Sequence, residues 1–576
     1  MCGIFGQKIT NDWELKQSLL ALNALAHRGP NDTHYWYDNK IFSGHRRLSI
    51  IDLSSKGKQP FTDNEVITTT NGEIYNYKEL KNELEHDFKF YSNSDSEVIL
   101  HGYKKWGLKK LVKKIDGMYA GSIYDIKKQK VFLFRDRCGI KPLYYSCPSI
   151  NFSWASELKS LELLLKKTKL EIDKTALYDF FTYLYIPSPK TLFKKIYKLP
   201  PAHFLEYDIK TNRITIEKYW KIKKINSYNN LDEKEITSKL KQLISDSIKK
   251  HSISDVPIGS FLSGGLDSSI VTLNLSKINK SLKTFTIKFE NHPNDESQDA
   301  KTISDLLGTS HFEKTITSNK TETLLKKFTK WYDEPFGDTS AFPSYEVSKL
   351  AKEHVKVVLT GDGGDEVFGG YKWYNRMELL NKYKYLKYIL KLLIPKKCIP
   401  FITNKYLKGL SLFCLNEFEQ YTKLMGGLIP IEKRKLKKKL NIEKAYDDFW
   451  YFKKFHKKEL PIKTRFQYID FNTYLHDDIL TKVDRVSMSN SIETRVPLLN
   501  TELIEFIFSL KENHRYYNNE LKGILKETYK TELPNSILNK KKQGFSIPEW
   551  KNIKSKLSPK EIINLFLNEK EIKCQL

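Results

Sequence analysis

The sequence has no run of about twenty apolar residues, the length a helix needs to cross a bilayer. Its first thirty positions also lack a basic segment followed by an apolar stretch and a small-residue cleavage site. Together these absences predict a cytoplasmic protein with no membrane partner. The six cysteines, Cys2, Cys138, Cys147, Cys398, Cys414 and Cys574, are widely spaced, with no CxxC pair and no Cys/His cluster of metal-ligand spacing. That pattern excludes a disulfide framework and a structural zinc, and it predicts a reducing compartment. No internal repeat of solenoid length is present.

At 576 residues and 40% hydrophobic content, the chain is long enough for two large domains, each with its own core. The net charge of +28 raises the question of a nucleic-acid partner. The excess is mostly lysine, spread through stretches such as KKIDGMY, KLKKKLNIEK and LNKKKQ, and a solvated surface accounts for it. Nucleic acid is therefore not an expected partner.

The pattern changes once along the chain. Up to about residue 207, short apolar or alternating runs (KIFSGHRRLSI, EVITTTNGEIYN, KVFLFRDRCGIKPLYY, INFSWASE) end in turn residues. They predict a mostly antiparallel layered α+β domain of αββα type, with helices over 15–25 and 96–106. A polar, lysine-rich stretch follows, placing the first domain at 1–210, a linker at 211–230 and the second domain at 231–576. The second domain reads strand, glycine loop, helix: VPIGSFL, SGGLDSS, IVTLNLSKI, then LKTFTIKF, with VKVVLT leading into GDGGDEVFGGY. This predicts an α/β domain with a mostly parallel sheet, to which the lysine- and tyrosine-rich region 371–463 adds helices.

SGGLDSS lies between a strand and a helix, so several backbone N–H groups and a helix dipole converge on one point, which suits a phosphate. No Gly-Lys-Ser/Thr follows and the loop is not GxGxxG, which argues against both γ-phosphoryl transfer and dinucleotide binding. The string resembles the pyrophosphate loop of enzymes that split ATP between its α and β phosphates. Magnesium on a pyrophosphate needs hard oxygen ligands, for which Asp267 and Asp365 are the candidates. GDGGDE directly follows an apolar strand, where open α/β sheets bind ligands.

Cys2 becomes an amino terminus if Met1 is removed, and it would then carry a thiol and a low-pKa amine on one residue. HRGPND, GHRRLSI, NGEIYN and SDSE add an arginine, an amide with an adjoining glycine, and carboxylates near predicted strand ends. That inventory suits an amino-acid substrate and a tetrahedral oxyanion.

MCGIFG, HRGPND, RLSI, NGEIYN, SDSE and DRCGIKPLYY together resemble the glutamine amidotransferases of the N-terminal nucleophile type. SGGLDSS, GDGGDEVFGGY, LTKVDRVSM and IETRVPLLN resemble the synthetase half of glutamine-hydrolysing asparagine synthetases. The resemblance covers nearly the whole chain in the family's order. It implies Cys2 as nucleophile, with Asn71 and Gly72 as the oxyanion hole. Arg47, Leu48, Ser49, Ile50, Ile51, Glu73 and Asp95 would join them around glutamine. It further implies Leu262, Ser263, Gly264, Gly265, Asp267, Ser268, Ile287, Thr360 and Gly361 around ATP. Asp362, where many members have glutamate, and Lys542 would act in acyl-adenylate formation; Lys540 and Lys541 leave the lysine's register open.

The implied reaction hydrolyses glutamine, passes ammonia through an internal channel and amidates aspartate through β-aspartyl-AMP, with ATP as substrate and Mg²⁺ as cofactor. A homodimer is compatible with this reading. The same motifs fit an enzyme that amidates another carboxylate, such as a uronic acid of a cell-surface polysaccharide. A tRNA-modifying protein could use the ATP loop, but it would have no need of an N-terminal glutaminase.

Overall fold

The computed structural model describes residues 2–165, 170–227, 231–290, 295–316, 327–540 and 558–570. Its first part is two antiparallel six-stranded sheets stacked face to face. In one, Gly3–Lys8 lies between Ile41–Arg47 and Ser153–Ala155. In the other, Val66–Ile74 pairs with Gly117–Asp125, and Lys130–Arg135 continues the sheet.

Alternation along the strands builds the layers. Ile4 and Ile41 point inward to meet Ile67, Ala120 and Leu133 of the facing sheet. Their neighbours Phe5 and Phe42 point outward, under the helices Asp12–Asn23 and Leu158–Leu165. The helices Tyr77–Leu84, Glu97–Trp106 and Leu108–Lys114 cover the outer face of the second sheet through Leu80, Ile99 and Leu111. The expected αββα order is therefore what the chain forms.

Part of the expected linker is not a linker. Arg213–Lys218 is an edge strand, hydrogen-bonded in register with His203–Asp208, so the first domain's sheet runs past residue 210. Its residues are mostly exposed, which is why the composition turns polar there.

The second part is a wholly parallel five-stranded sheet in the order Ser310–Ile316, Lys283–Phe289, Ile258–Phe261, Val357–Leu359, Glu493–Arg495. In LKTFTIKF the apolar Phe285, Ile287 and Phe289 alternate with polar residues, yet Thr284 and Thr286 are as buried as Phe285 and Ile287. Packed elements cover both faces, and the Thr284 hydroxyl is satisfied by Thr309 and His311. The chain builds outward from Ile258–Phe261 in one direction and then reverses. The strand ends at Phe261 and Leu359 therefore flank a topological switch point, where the two glycine-rich loops emerge side by side.

Candidate functional site

The first site forms at the ends of Gly3–Lys8 and Val66–Ile74. The Cys2 backbone nitrogen donates to Asn71 Oδ1 at 3.0 Å. With its oxygen occupied in this way, Asn71 turns its Nδ2 into a buried space where that atom has no hydrogen-bond partner. A buried, unpaired amide donor is costly unless something arrives to accept from it. Gly72 has φ +142°, and a Cβ there would meet the Met118 carbonyl oxygen at 1.9 Å. Only glycine allows this turn of the strand beside Cys2.

Cys2 itself is buried, and burial pushes its thiol pKa up. Arg47 donates to the carbonyls of Ser54, at 2.8 Å, and Asp52, which fixes its guanidinium against the loop. Leu48, Ile50 and Ile51 are buried along that loop, and the Ser49 N–H is held by Asn31 Oδ1 at 3.1 Å. Glu73 and Asp95 are buried close to one another. Burial, then Glu493 and Asp95, holds the Glu73 carboxyl well above the usual range. Burial raises Asp95 to about 6, although the Ile74 N–H donates to it at 2.7 Å. Two carboxyls that resist ionisation would welcome a cation.

The second site is a cavity of about 650 Å³ over the C-terminal strand ends. Leu262, Ser263, Gly265, Asp267, Ser268, Thr360, Gly361, Asp362 and Asp365 all line it. Gly264 turns away: at φ +70° it backs onto Asp299 and Ala300, where a side chain would collide. Ile287 does not reach the cavity either; it packs among Phe285, Val347 and Val358, and Thr286 presents to the space instead. Lys540 is on the wall, paired with Glu296 at 2.9 Å and Asp299 at 2.6 Å. Lys541 and Lys542 lie outside the described residues.

Asp267 and Asp365 do converge, with the Lys522 ammonium between them, 2.6 Å from Asp365. Among the described residues no group of three or more His, Cys, Asp or Glu forms a metal cage. Asp267 Oδ1 is buried without a hydrogen-bond partner; it is a hard oxygen donor of the kind a divalent cation takes, although the Lys522 ammonium holds the space between the two carboxylates here.

The motif set thus falls into two separate constellations, one between the two antiparallel sheets and one on the parallel sheet. Sequence models of two families match the same division: Glutamine amidotransferase domain over residues 1–220 and Asparagine synthase over 239–565. The chain belongs to the asparagine synthase family. It is 32% identical over 562 residues to glutamine-hydrolyzing asparagine synthetase 1 of Bacillus subtilis, covering 95% of this chain and 87% of that one. It is 26% identical over 610 residues to that organism's asparagine synthetase 3, covering 99% and 92%. It is also 28% identical over 599 residues to Amidase chry2 of Gibberella zeae, covering 92% and 84%.

The family's motifs also hold site residues that sequence reasoning passed over. Arg28, in HRGPND, is fully buried and donates from Nε to the Cys2 carbonyl at 3.0 Å. Its guanidinium also grips Asp484 of LTKVDRVSM by two bonds, at 2.8 and 3.0 Å, and Glu157 at 2.8 Å. One side chain thereby joins Cys2 to the other domain. From the same helix, Leu480–Met488, Lys482 reaches the second cavity, 3.2 Å from Asp338. Burial would lower its pKa, but Asp338, Asp362 and Asp478 more than reverse this, and the ammonium stays charged.

Glu366 also lines the cavity; it accepts from Tyr371 at 2.5 Å, and burial lifts it to about 7. Lys482, Asp484 and Arg28 sat inside quoted motifs, where their charge in otherwise buried surroundings was the available signal. Lys522 carried none, because its role depends on two carboxylates distant in sequence.

Proposed function

We propose that this protein is a glutamine-dependent asparagine synthetase, in which ammonia released at Cys2 amidates aspartate in the second cavity. The observation carrying this reading is Asn71, which holds the Cys2 nitrogen on one side of its amide and leaves Nδ2 buried and unpartnered on the other. In the proposed reaction the Cys2 sulfur bonds to the glutamine carboxamide carbon, and Asn71 Nδ2 with the Gly72 N–H stabilises the oxyanion. Ammonia then leaves, and water hydrolyses the thioester to glutamate. The thiol's raised pKa means that it enters the reaction protonated, so it needs a base. Removal of Met1 would make the Cys2 nitrogen that base. Arg47 would pair with the substrate's α-carboxylate, and Glu73 and Asp95 with its α-ammonium.

In the second cavity the loop Ser263–Ser268 and Thr360–Gly361 would receive ATP. An aspartate β-carboxylate oxygen would attack the α-phosphorus, and pyrophosphate would leave. Asp267 and Asp365 would hold Mg²⁺, which neutralises phosphate charge when bound. Lys482, Lys540 and Lys522 surround the same space with positive charge. Ammonia would then displace AMP from the acyl carbon to give asparagine.

A second reading keeps both half-reactions and changes the acceptor to another carboxylate, such as a uronic acid. Two observations favour retaining it: Asp362 is one methylene shorter than the glutamate many members carry, and one similar chain is named an amidase. Incubation with glutamine, MgATP and aspartate decides between them. The first reading expects asparagine with stoichiometric AMP and pyrophosphate. Glutamate release without asparagine would overturn it in favour of the second.

A further inference from the structure

One region of the second domain serves neither site. From 379 to 416 the chain contains no Asp or Glu and no Arg, but it has eight lysines. Of the twenty large apolar side chains that are exposed among the described residues, nine fall within 385–410. Leu392, Phe401 and Tyr406 are more than four-fifths exposed, values expected of surface lysines and unusual for such residues.

Two short helices that pack on the same turn, Leu412–Cys414, carry most of them. The helix Leu386–Leu393 has no buried residue. Leu390 and Ile394 lean onto the small cluster of Ile399, Cys414 and Leu415. Tyr385, Tyr388, Ile389 and Leu392, at three- and four-residue spacing, form the opposite, uncovered face. Lys384, Lys387 and Lys391 run along its flank. The helix Lys405–Ser411 packs, as Leu386–Leu393 does, against the turn Leu412–Cys414, and it exposes Tyr406, Leu407 and Leu410 with Lys405 and Lys408 among them. Lys396 is held by Glu419, and among the described residues the other seven lysines have no carboxylate partner.

We propose that this surface docks the protein on an anionic membrane, with the tyrosines and leucines entering the headgroup region and the lysines pairing with lipid phosphates. Charge complementarity selects this occupant. A second copy in a two-fold interface would press seven unpaired lysines against seven. Nucleic-acid grooves combine stacking aromatics with arginine, whereas this patch has no arginine and five of its nine exposed apolar side chains are aliphatic. Lysines beside interfacial tyrosine and leucine match a helix lying in the plane of a bilayer. The sequence expectation of no membrane partner came from the absence of a spanning segment. No helix among the described residues is long and apolar enough to cross, and peripheral docking requires none.

The experiment uses the full chain and sedimentation with vesicles of phosphatidylcholine alone or with about one-third phosphatidylglycerol. Binding should require the anionic lipid and disappear in about 1 M salt, where the screening length falls to about 3 Å. Lys387→Glu/Lys391→Glu and, separately, Leu392→Glu/Leu393→Glu should each weaken binding at least about tenfold. Both should leave soluble glutamine hydrolysis unchanged, since all four positions are on the surface far from Cys2 in sequence and share no cluster with it. Equal binding of variants and parent would overturn the proposal. So would the absence of binding, tighter binding to an unrelated tRNA than to vesicles, or concentration-dependent dimerisation lost in the leucine variant.

Discussion

Asn71 does two things with one amide, and that division sets the expected phenotypes. Truncating it to alanine removes the proposed oxyanion donor and the anchor of the Cys2 nitrogen together. Glutamine hydrolysis should fall about 100- to 1,000-fold in kcat, while synthesis from added ammonium salt continues. Cys2→Ala should abolish the glutamine-dependent reaction and leave the ammonia-dependent one; loss of both in a steady-state assay would refute two separable sites. Asp95 predicts a pH effect. Its folded-state pKa is raised to about 6, so it is protonated below that pH and cannot meet the substrate's ammonium. kcat/KM for glutamine should therefore decline as pH falls through about 6, and a pH profile of Asp95→Asn should lose that limb.

At the scale of elements, Leu480–Met488 is the piece on which both sites depend. It follows a π-helical turn, Leu475–Ile479, whose wider ring rotates the succeeding side chains relative to a regular helix. Lys482 reaches the cavity, Asp484 holds Arg28 behind Cys2, and Arg485 joins Asp333 and Glu157. Removing one partner of a buried ion pair costs about 3–5 kcal/mol. Asp484→Asn should therefore lower the melting temperature and also reduce glutamine hydrolysis. Because the buried Lys141 ammonium also pairs with Asp484, at 3.6 Å, the triple change Arg28→Met/Lys141→Met/Asp484→Leu should recover much of the melting temperature without recovering the hydrolysis rate. Recovery of both would reduce the pair to a structural brace. The sheet elements were readable from alternation and turn residues. The π-turn was not, because nothing in YLHDDILTK separates it from an ordinary helix.

For the whole molecule, the arrangement of the two domains is a matter of long-range contact. Asp255 accepts from the Asp52 N–H at 2.8 Å and donates its own N–H to the Ile50 carbonyl at 3.0 Å, so the loop carrying the candidate glutamine-binding residues rests on the second domain. Gly361 packs against Asp267, and a Cβ there would approach Asp267 Cβ at 2.8 Å. Gly361→Ala should separate the two loops of the second cavity, the proposed ATP site, and abolish pyrophosphate release, with glutamine hydrolysis retained. If pyrophosphate release survives, the loops do not act together.

The sequence by itself determined the two-layer and parallel-sheet architectures, because strand alternation and strand–glycine–helix order are local patterns. It also singled out the motifs proposed to carry chemistry, because Cys2, NGEIYN and SGGLDSS each hold their candidate groups within a few residues. Tertiary structure alone decided the rest. Strand pairing carried the first domain through Lys218, sheet packing withdrew Ile287 from the cavity, and Lys522 came between Asp267 and Asp365. It was the fold, too, that set Arg28 against Asp484, since buried charges find partners by proximity after the chain has closed, at separations that no periodicity encodes.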